Sequence, residues 1–318
     1  MKILIYGAGV IGSIYASRLS GTNEDITLLA RGERYEYLKK KGIGLRNALT
    51  GQQTINHVVL TRQLDPYDFY DLIIVAVRMD QWEAVLPVLK ENVVCPAIML
   101  LFNYPGSLDL MADELKPKHI TLGFPGVGGI RHDHFIEYIQ IRQQATTIGE
   151  IKGGSSPEPA KWKDILEKAG FKVALSNDMQ AWLKIHAVFI ACITAALFQK
   201  NGDSRQLGRD RKAVKQMVGG VREGFKACRS IGIPVVPLNL KVIFLIMPRW
   251  FAVLYWQHAM KGEIGTLSIA PHARAAKQEM MLLAEKVMDL LHSSAMPTPL
   301  LDDLLSTFIK AGIAKNTP

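Results

Sequence analysis

The apolar stretch Lys2-Ile3-Leu4-Ile5-Tyr6 runs directly into Gly7-Ala8-Gly9-Val10-Ile11-Gly12, and a helical pattern follows over Ile11–Leu19. No other feature restricts the fold as tightly. A G-x-G-x-x-G alone carries little information, but between a strand and a helix each glycine has a task. The first permits a tight turn, the second leaves the backbone open to a pyrophosphate, and the third lets the helix pack on the strand. The helix start then offers free N–H groups and a partial positive charge to phosphate. Gly7, Gly9, Val10, Ile11 and Gly12 are therefore candidate phosphate-binding residues for a dinucleotide.

Further strand-like apolar runs recur at Ile26–Leu29, Leu72–Val77, Ala97–Phe102 and Ile120–Phe124, with room for helices between them. They are continuous rather than alternating, which predicts strands covered on both faces. That is the pattern of a parallel sheet in a doubly wound, Rossmann-like α/β domain. A turn-rich connection from Lys152 to Pro159 precedes a helix at Ala160–Ala169 and a last strand at Phe171–Leu175. From Asn177 the texture changes to long helical stretches, at Asp178–Gln199, Arg211–Ile231, Leu238–Met260, Ala273–His292 and Pro299–Ala311. At 318 residues and 48% apolar content the chain has material for two cores. The expected architecture is an α/β domain over 1–176 and an all-helical domain over 177–318, with a ligand cleft between them.

Composition excludes several classes. Cys95, Cys192 and Cys228 are odd in number and lie in or beside apolar runs, so they read as small buried hydrophobes in a reducing, cytoplasmic setting. The N-terminal apolar stretch is too short for a signal peptide. Val242–Trp256 is interrupted by Pro248-Arg249 and falls short of the roughly 20 apolar residues of a bilayer span, so it reads as a buried helix or a dimer contact. The net charge of +9 comes from scattered basic residues without a nucleic-acid-binding motif, so neither nucleic acid nor membrane is an expected partner. His132 and His134 flank an Asp with no third ligand evident, and no metal site is expected.

At the end of the second strand, NAD-binding proteins need a carboxylate for the ribose hydroxyls. Here the chain reads Leu28-Leu29-Ala30-Arg31-Gly32. With no carboxylate to repel a 2′-phosphate and with Arg31 placed to pair with it, the expected cofactor is NADP(H), Arg34 assisting.

With these residues in place, the chain resembles the ketopantoate reductases (2-dehydropantoate 2-reductases), as a divergent member. The resemblance is carried by Lys2–Arg31, Asp71–Arg78, Phe102-Asn103, Trp182-Leu183-Lys184 and Pro297-Thr298-Pro299 in that order and spacing. It implies NADPH-dependent reduction of a small 2-oxo acid, ketopantoate first, by a two-domain enzyme. It places Lys184 as the lysine that stabilises charge on the carbonyl oxygen and supplies a proton. It further implies Glu279 as a supporting carboxylate, with Glu263 the weaker candidate, Ser268 as a substrate contact, Arg78 beside the cofactor, and Asn103 between cofactor and substrate. His186 competes with Lys184 as acid, but two positions on a helix turn the direction by about 200°, so only one of them can face a given cleft.

The departures bear on the substrate. The family lysine is followed four and eight residues later by asparagines, where this chain has Val188 and Cys192. The loss of two amides from that face implies either compensation elsewhere or a more apolar substrate, served by a related dehydrogenase. It also motivates a rival reading, a protein that binds NADP(H) and reports its redox state without turnover. A Lys184 directed into bulk solvent would favour that rival.

Overall fold

A computed structural model describes residues 1–103, 105–106, 108–140, 144–151, 154 and 156–313. The chain divides into two compact units, the first ending at Met179 and the second running from Gln180, with the short segment 104–106 grouped with the second.

The first unit contains, in chain order, β1 (Lys2–Tyr6), α1 (Val10–Leu19), β2 (Asp25–Leu29), α2 (Gly32–Lys41), β3 (Ile43–Asn47), β4 (Gln53–Asn56), β5 (Val59–Thr61) and β6 (Leu72–Val75). It continues through α3 (Trp82–Glu91), β7 (Ala97–Leu101), α4 (Leu108–Glu114), β8 (His119–Phe124), β9 (Gly128–Arg131), β10 (Ile136–Ile139), β11 (Thr146–Gly149), α5 (Glu158–Lys168) and β12 (Val173–Ser176). Eight of these strands form one sheet in the order β12-β11-β8-β7-β6-β1-β2-β5. The continuous apolar runs are the central strands, and every residue of β6 and β7 is buried because both sheet faces are covered. The sheet is parallel except where β11 runs antiparallel to β8. Chain order reverses around β1, which has β2 on one side and β6 on the other. That reversal is a topological switch point, where open α/β sheets bind ligands at the carboxyl ends of their strands.

A second sheet, β4-β3-β10-β9, packs against α1 and was not foreseen. Its strands are four or five residues long, and β4 is mostly exposed. Such short strands, with polar residues and glycine among them, present no continuous apolar run for a sequence reading to find.

The second unit contains α6 (Met179–Phe198), α7 (Ser204–Arg209), α8 (Arg211–Ser230), α9 (Leu238–Lys241), α10 (Arg249–Lys261), α11 (Ala270–Ala275), α12 (Lys277–Leu291) and α13 (Pro299–Ile313). The expected helix over Leu238–Met260 is broken. Val242–Ile246 forms a π-helical turn, and Pro248 starts α10 afresh because it lacks the N–H that a continuing helix needs. The buried-helix reading of Val242–Trp256 is likewise corrected: Phe244, Val253 and Trp256 enter the core, but Ile246, Trp250, Leu254 and Tyr255 are exposed.

The most apolar long helix is instead α6, with a mean hydropathy of 1.9 over its best window. It meets the length and composition test for a bilayer span, yet 83% of that window is buried inside the molecule, which makes it a core helix. Close packing explains its sequence. A side chain at Gly224 on α8 would place Cβ 2.5 Å from Val188 Cγ1 and 2.7 Å from Leu301 Cδ1, so α6 and α13 both approach α8 across a glycine. Phe189, Phe225, Phe244 and Trp256 complete this core, with neighbouring rings 5.2–5.9 Å apart between centroids.

Candidate functional site

The glycine turn leaves β1 at the carboxyl edge of the sheet. Gly7 has φ +113°, and a Cβ there would lie 2.8 Å from the Ala76 carbonyl oxygen, so the turn excludes a side chain by both conformation and space. At Gly12 a Cβ would meet the Gly7 carbonyl oxygen at 1.9 Å, so α1 seats directly on the turn. Gly9 is different: no atom lies within 4 Å of where its Cβ would be. Gly9 is also the N-cap of α1, with no capping side chain and no acidic residue in the first turn. An uncapped helix start beside open space is a cradle for a phosphate oxygen.

Register places the other N-terminal candidates at the same edge, because Tyr6 pairs with Leu29 and Val75, and Val75 with Leu100. Arg31 follows β2 and is exposed. Its Nη2 donates to the Tyr6 hydroxyl at 2.7 Å, and among the described residues no carboxylate lies within ion-pair distance. Burial raises the Tyr6 hydroxyl above its ordinary pKa, and the Arg31 charge opposes that shift.

Arg34, read only as an assistant to Arg31, turns toward the glycine turn. Its Nε donates to the Ala8 carbonyl at 3.3 Å and its Nη2 to Ser13 Oγ at 3.2 Å. Burial, and next the charge of Arg131 on β9, hold its guanidinium below the ordinary arginine pKa. The sequence carries no signal for this clamp, since its partners Ala8 and Ser13 lie more than twenty residues away in the chain.

Arg78 does not present a free charge. It forms a two-pronged pair with Asp80, Nε–Oδ1 and Nη2–Oδ2 both at 3.1 Å, in the 3-10 turn that follows β6. Asn103, just beyond β7, is half-buried, and its Oδ1 is buried with no hydrogen-bond partner among the described residues. A buried carbonyl oxygen without a donor costs roughly 1–3 kcal/mol, so this atom is set for a ligand N–H or O–H. A cavity of about 590 Å³ lined by Lys2, Asp25 and Tyr70 opens at the opposite, amino edge and contains none of the candidate residues.

In the helical unit, Lys184 lies half-buried on α6. Burial pushes the Cys228 thiol on α8 up to about 12, and the nearby Lys184 ammonium opposes that shift. Lys184 is thus half-buried, with its charge near enough to α8 to act on Cys228. His186 is buried and stacked on Trp182, with rings 4.8 Å apart and 12° from parallel.

Val188 and Cys192 are fully buried, packed toward Gly224 and Gly220 of α8. This corrects the expectation that they face a pocket from which amides have been lost: they fill a helix–helix contact. Burial, with the Glu223 carboxylate adding to it, pushes the Cys192 thiol well above the ordinary range. Glu279 is half-buried in the first turn of α12, whereas Glu263 is exposed, which separates the two candidate carboxylates. Ser268 is half-buried in the π-helical segment Ile264–Ile269. Among the described residues no cluster of three or more His, Cys, Asp or Glu could hold a metal ion.

Comparison with known proteins places these features in a family setting. Residues 3–153 match the family model described as ketopantoate reductase PanE/ApbA. The 2-dehydropantoate 2-reductase of Pyrococcus horikoshii is 25% identical over 262 residues, covering 78% of this chain and 81% of that protein. Among solved structures, D-mandelate dehydrogenase with NADH and anilino(oxo)acetate superposes with a TM-score of 0.78 at 17% identity, over 100% of both chains. The dimeric ketopantoate reductase of Staphylococcus aureus gives a TM-score of 0.68 at 14% identity, over 99% of this chain and 100% of that one. At these identities the two solved structures establish a shared fold.

Proposed function

We propose that the chain is a member of the ketopantoate reductase family, whose model matches residues 3–153, and that it reduces a 2-oxo acid to the 2-hydroxy acid with NADPH, ketopantoate being the leading substrate. The observation that carries this reading is the Gly9 cradle at the uncapped start of α1, with Arg31 and no carboxylate at the end of β2. The residues present fit a nicotinamide dinucleotide: Gly7, Gly9, Val10, Ile11 and Gly12 hold the pyrophosphate, Arg31 the 2′-phosphate, and the unpaired Asn103 Oδ1 accepts from a ligand amide or hydroxyl. Bound there, the cofactor supplies the hydride. Lys184 stabilises the charge growing on the substrate oxygen and then protonates it, Glu279 orients that lysine or accepts a substrate hydroxyl, and Ser268 contacts the substrate. Arg78, committed to Asp80, contributes shape more than charge at the cofactor edge.

Cofactor choice follows from Arg31. Arg31→Ala is expected to raise the KM for NADPH about tenfold while leaving that for NADH within twofold, because a charge-assisted bond to a phosphate contributes about 1.5–3 kcal/mol. Equal losses with both cofactors would place the 2′-phosphate elsewhere.

The primary test is the rate of NADPH oxidation with ketopantoate. A second substrate reading is a bulkier and more apolar 2-oxo acid, since the 2-oxo compound named with D-mandelate dehydrogenase is of that kind. Turnover of phenyl-substituted 2-oxo acids above ketopantoate would select it. Tight NADPH binding without turnover of any 2-oxo acid would instead select the redox-reporting alternative.

The exposed apolar residues Ile246, Trp250, Leu254 and Tyr255 support association of two copies through this face. Sedimentation is expected to show a dimer that Trp250→Asp converts to monomer; a monomeric parent protein would overturn this.

A further inference from the structure

Two guanidinium groups in the helical unit, those of Arg222 and Arg249, have no counter-charge among the described residues. Gly219 and Arg222 lie three residues apart on one face of α8, and the Arg249 guanidinium lies across Gly219 so closely that a Cβ there would sit 2.5 Å from Arg249 Nη2. Arg222 Nη1 donates to the carbonyl of Met247, two residues before Arg249, at 3.1 Å. Arg249 Nη2 donates to the Lys215 carbonyl at 3.0 Å. Backbone carbonyls thus hold both cations against one patch of α8.

Neither arginine has an acidic partner within 4.0 Å among the described residues. The Glu223 carboxylate, next along α8, is engaged elsewhere: its Oε2 accepts from the N–H groups of Leu300 and Leu301 at 2.7 and 3.1 Å and caps α13. Arg249 Nε is buried with no hydrogen-bond partner among the described residues. Burial, and then the charge of Arg249, hold Arg222 below the ordinary arginine pKa.

Two half-buried like charges, one of which carries an unmet donor, are unfavourable unless an anion joins them. The start of α10 adds to the attraction, because Arg249 is its first residue, its N-cap Pro248 has no capping side chain, and its first turn has no acid.

We propose that Arg222, Arg249 and the start of α10 form a second anion site that takes a phosphate- or carboxylate-type oxyanion. Arg249 Nε is a donor without a partner among the described residues, and the guanidinium fork suits two oxygens of one group. The site faces α8, whereas the exposed Trp250 and Leu254 leave α10 on another side.

The probes are inorganic phosphate and acetate against chloride at matched ionic strength, with no cofactor present, read by the thermal midpoint and by the phosphorus NMR linewidth. A saturable rise of about 3 °C is expected at tenfold excess over Kd for at least one of the two oxyanions. The rise should persist in Arg31→Gln, which removes charge at the glycine turn, and disappear in Arg249→Gln and Arg222→Gln. Arg249→Lys, which keeps the charge without Nε, should weaken binding by tenfold or more. If Arg249→Gln fails to fold, Arg222→Gln decides, since it gives up a single carbonyl contact. Oxyanions no better than chloride, or a rise unchanged in the Arg222 and Arg249 variants, would overturn the site.

Discussion

Gly12→Ala is expected to lose stability before it loses anything else, while Gly9→Ala folds as the parent does and fails to hold NADPH. The two substitutions add the same methyl group a few residues apart, so the contrast tests geometry alone. At Gly12 the new Cβ meets a backbone oxygen at 1.9 Å, and α1 must lift off the turn. Overpacking of this kind costs about 1–3 kcal/mol or more, a large share of a total near 5–15. A fall in melting temperature of about 6 °C or more follows.

Gly9 has φ −72° and ψ −167°, ordinary extended backbone, with open space where the methyl would go. The folded protein tolerates alanine there, and a pyrophosphate does not. An increase in the Kd for NADPH of at least tenfold, with the melting temperature of the free protein within about 1 °C of the parent, is the expected pair of results. A Gly9→Ala protein that binds NADPH normally would show that the dinucleotide does not lie on this turn.

That contrast also shows which parts of the molecule are legible in the sequence. The turn is readable because its strand, glycines and helix are contiguous, and the central strands are readable because burial on both faces forces unbroken apolar runs such as Leu72–Val75. Features that depend on distant partners are not. The Arg34 clamp on Ala8 and Ser13 joins α2 to the turn, and its charged neighbour Arg131 comes from a sheet too short and polar to announce itself. The exposure of Trp250 and the burial of Val188 are set by which helix faces meet, and a helix as apolar on all sides as α6 gives no face to read. The substitutions at 188 and 192 looked like changes to a pocket because spacing alone cannot tell a pocket wall from a helix contact across Gly224.

Lys184→Ala carries the largest expected effect on turnover. The side chain is half-buried, close enough to α8 for its charge to act on the Cys228 thiol, and the buried, Trp182-stacked His186 points to another side of the helix. In the proposed reaction, Lys184 meets a charge that exists only as hydride arrives, so its removal should lower kcat and leave cofactor binding intact. General acid and electrostatic contributions of this type amount to about 10²–10⁴ in rate, or about 3–5 kcal/mol. NADPH affinity should stay within twofold, which separates a lost acid from a lost fold.

Lys184→Arg sharpens the test, because a guanidinium keeps the charge but, with a pKa above about 12, does not release a proton near neutrality. It should recover part of the electrostatic effect and none of the proton transfer, leaving a kcat between those of the alanine variant and the parent. A Lys184→Ala enzyme with unchanged kcat would remove this lysine from the reaction and direct the search for the acid to Glu279. If Lys184→Ala is inactive and Lys184→Arg is fully active, charge and not the proton is what Lys184 contributes, and the proton then comes from solvent.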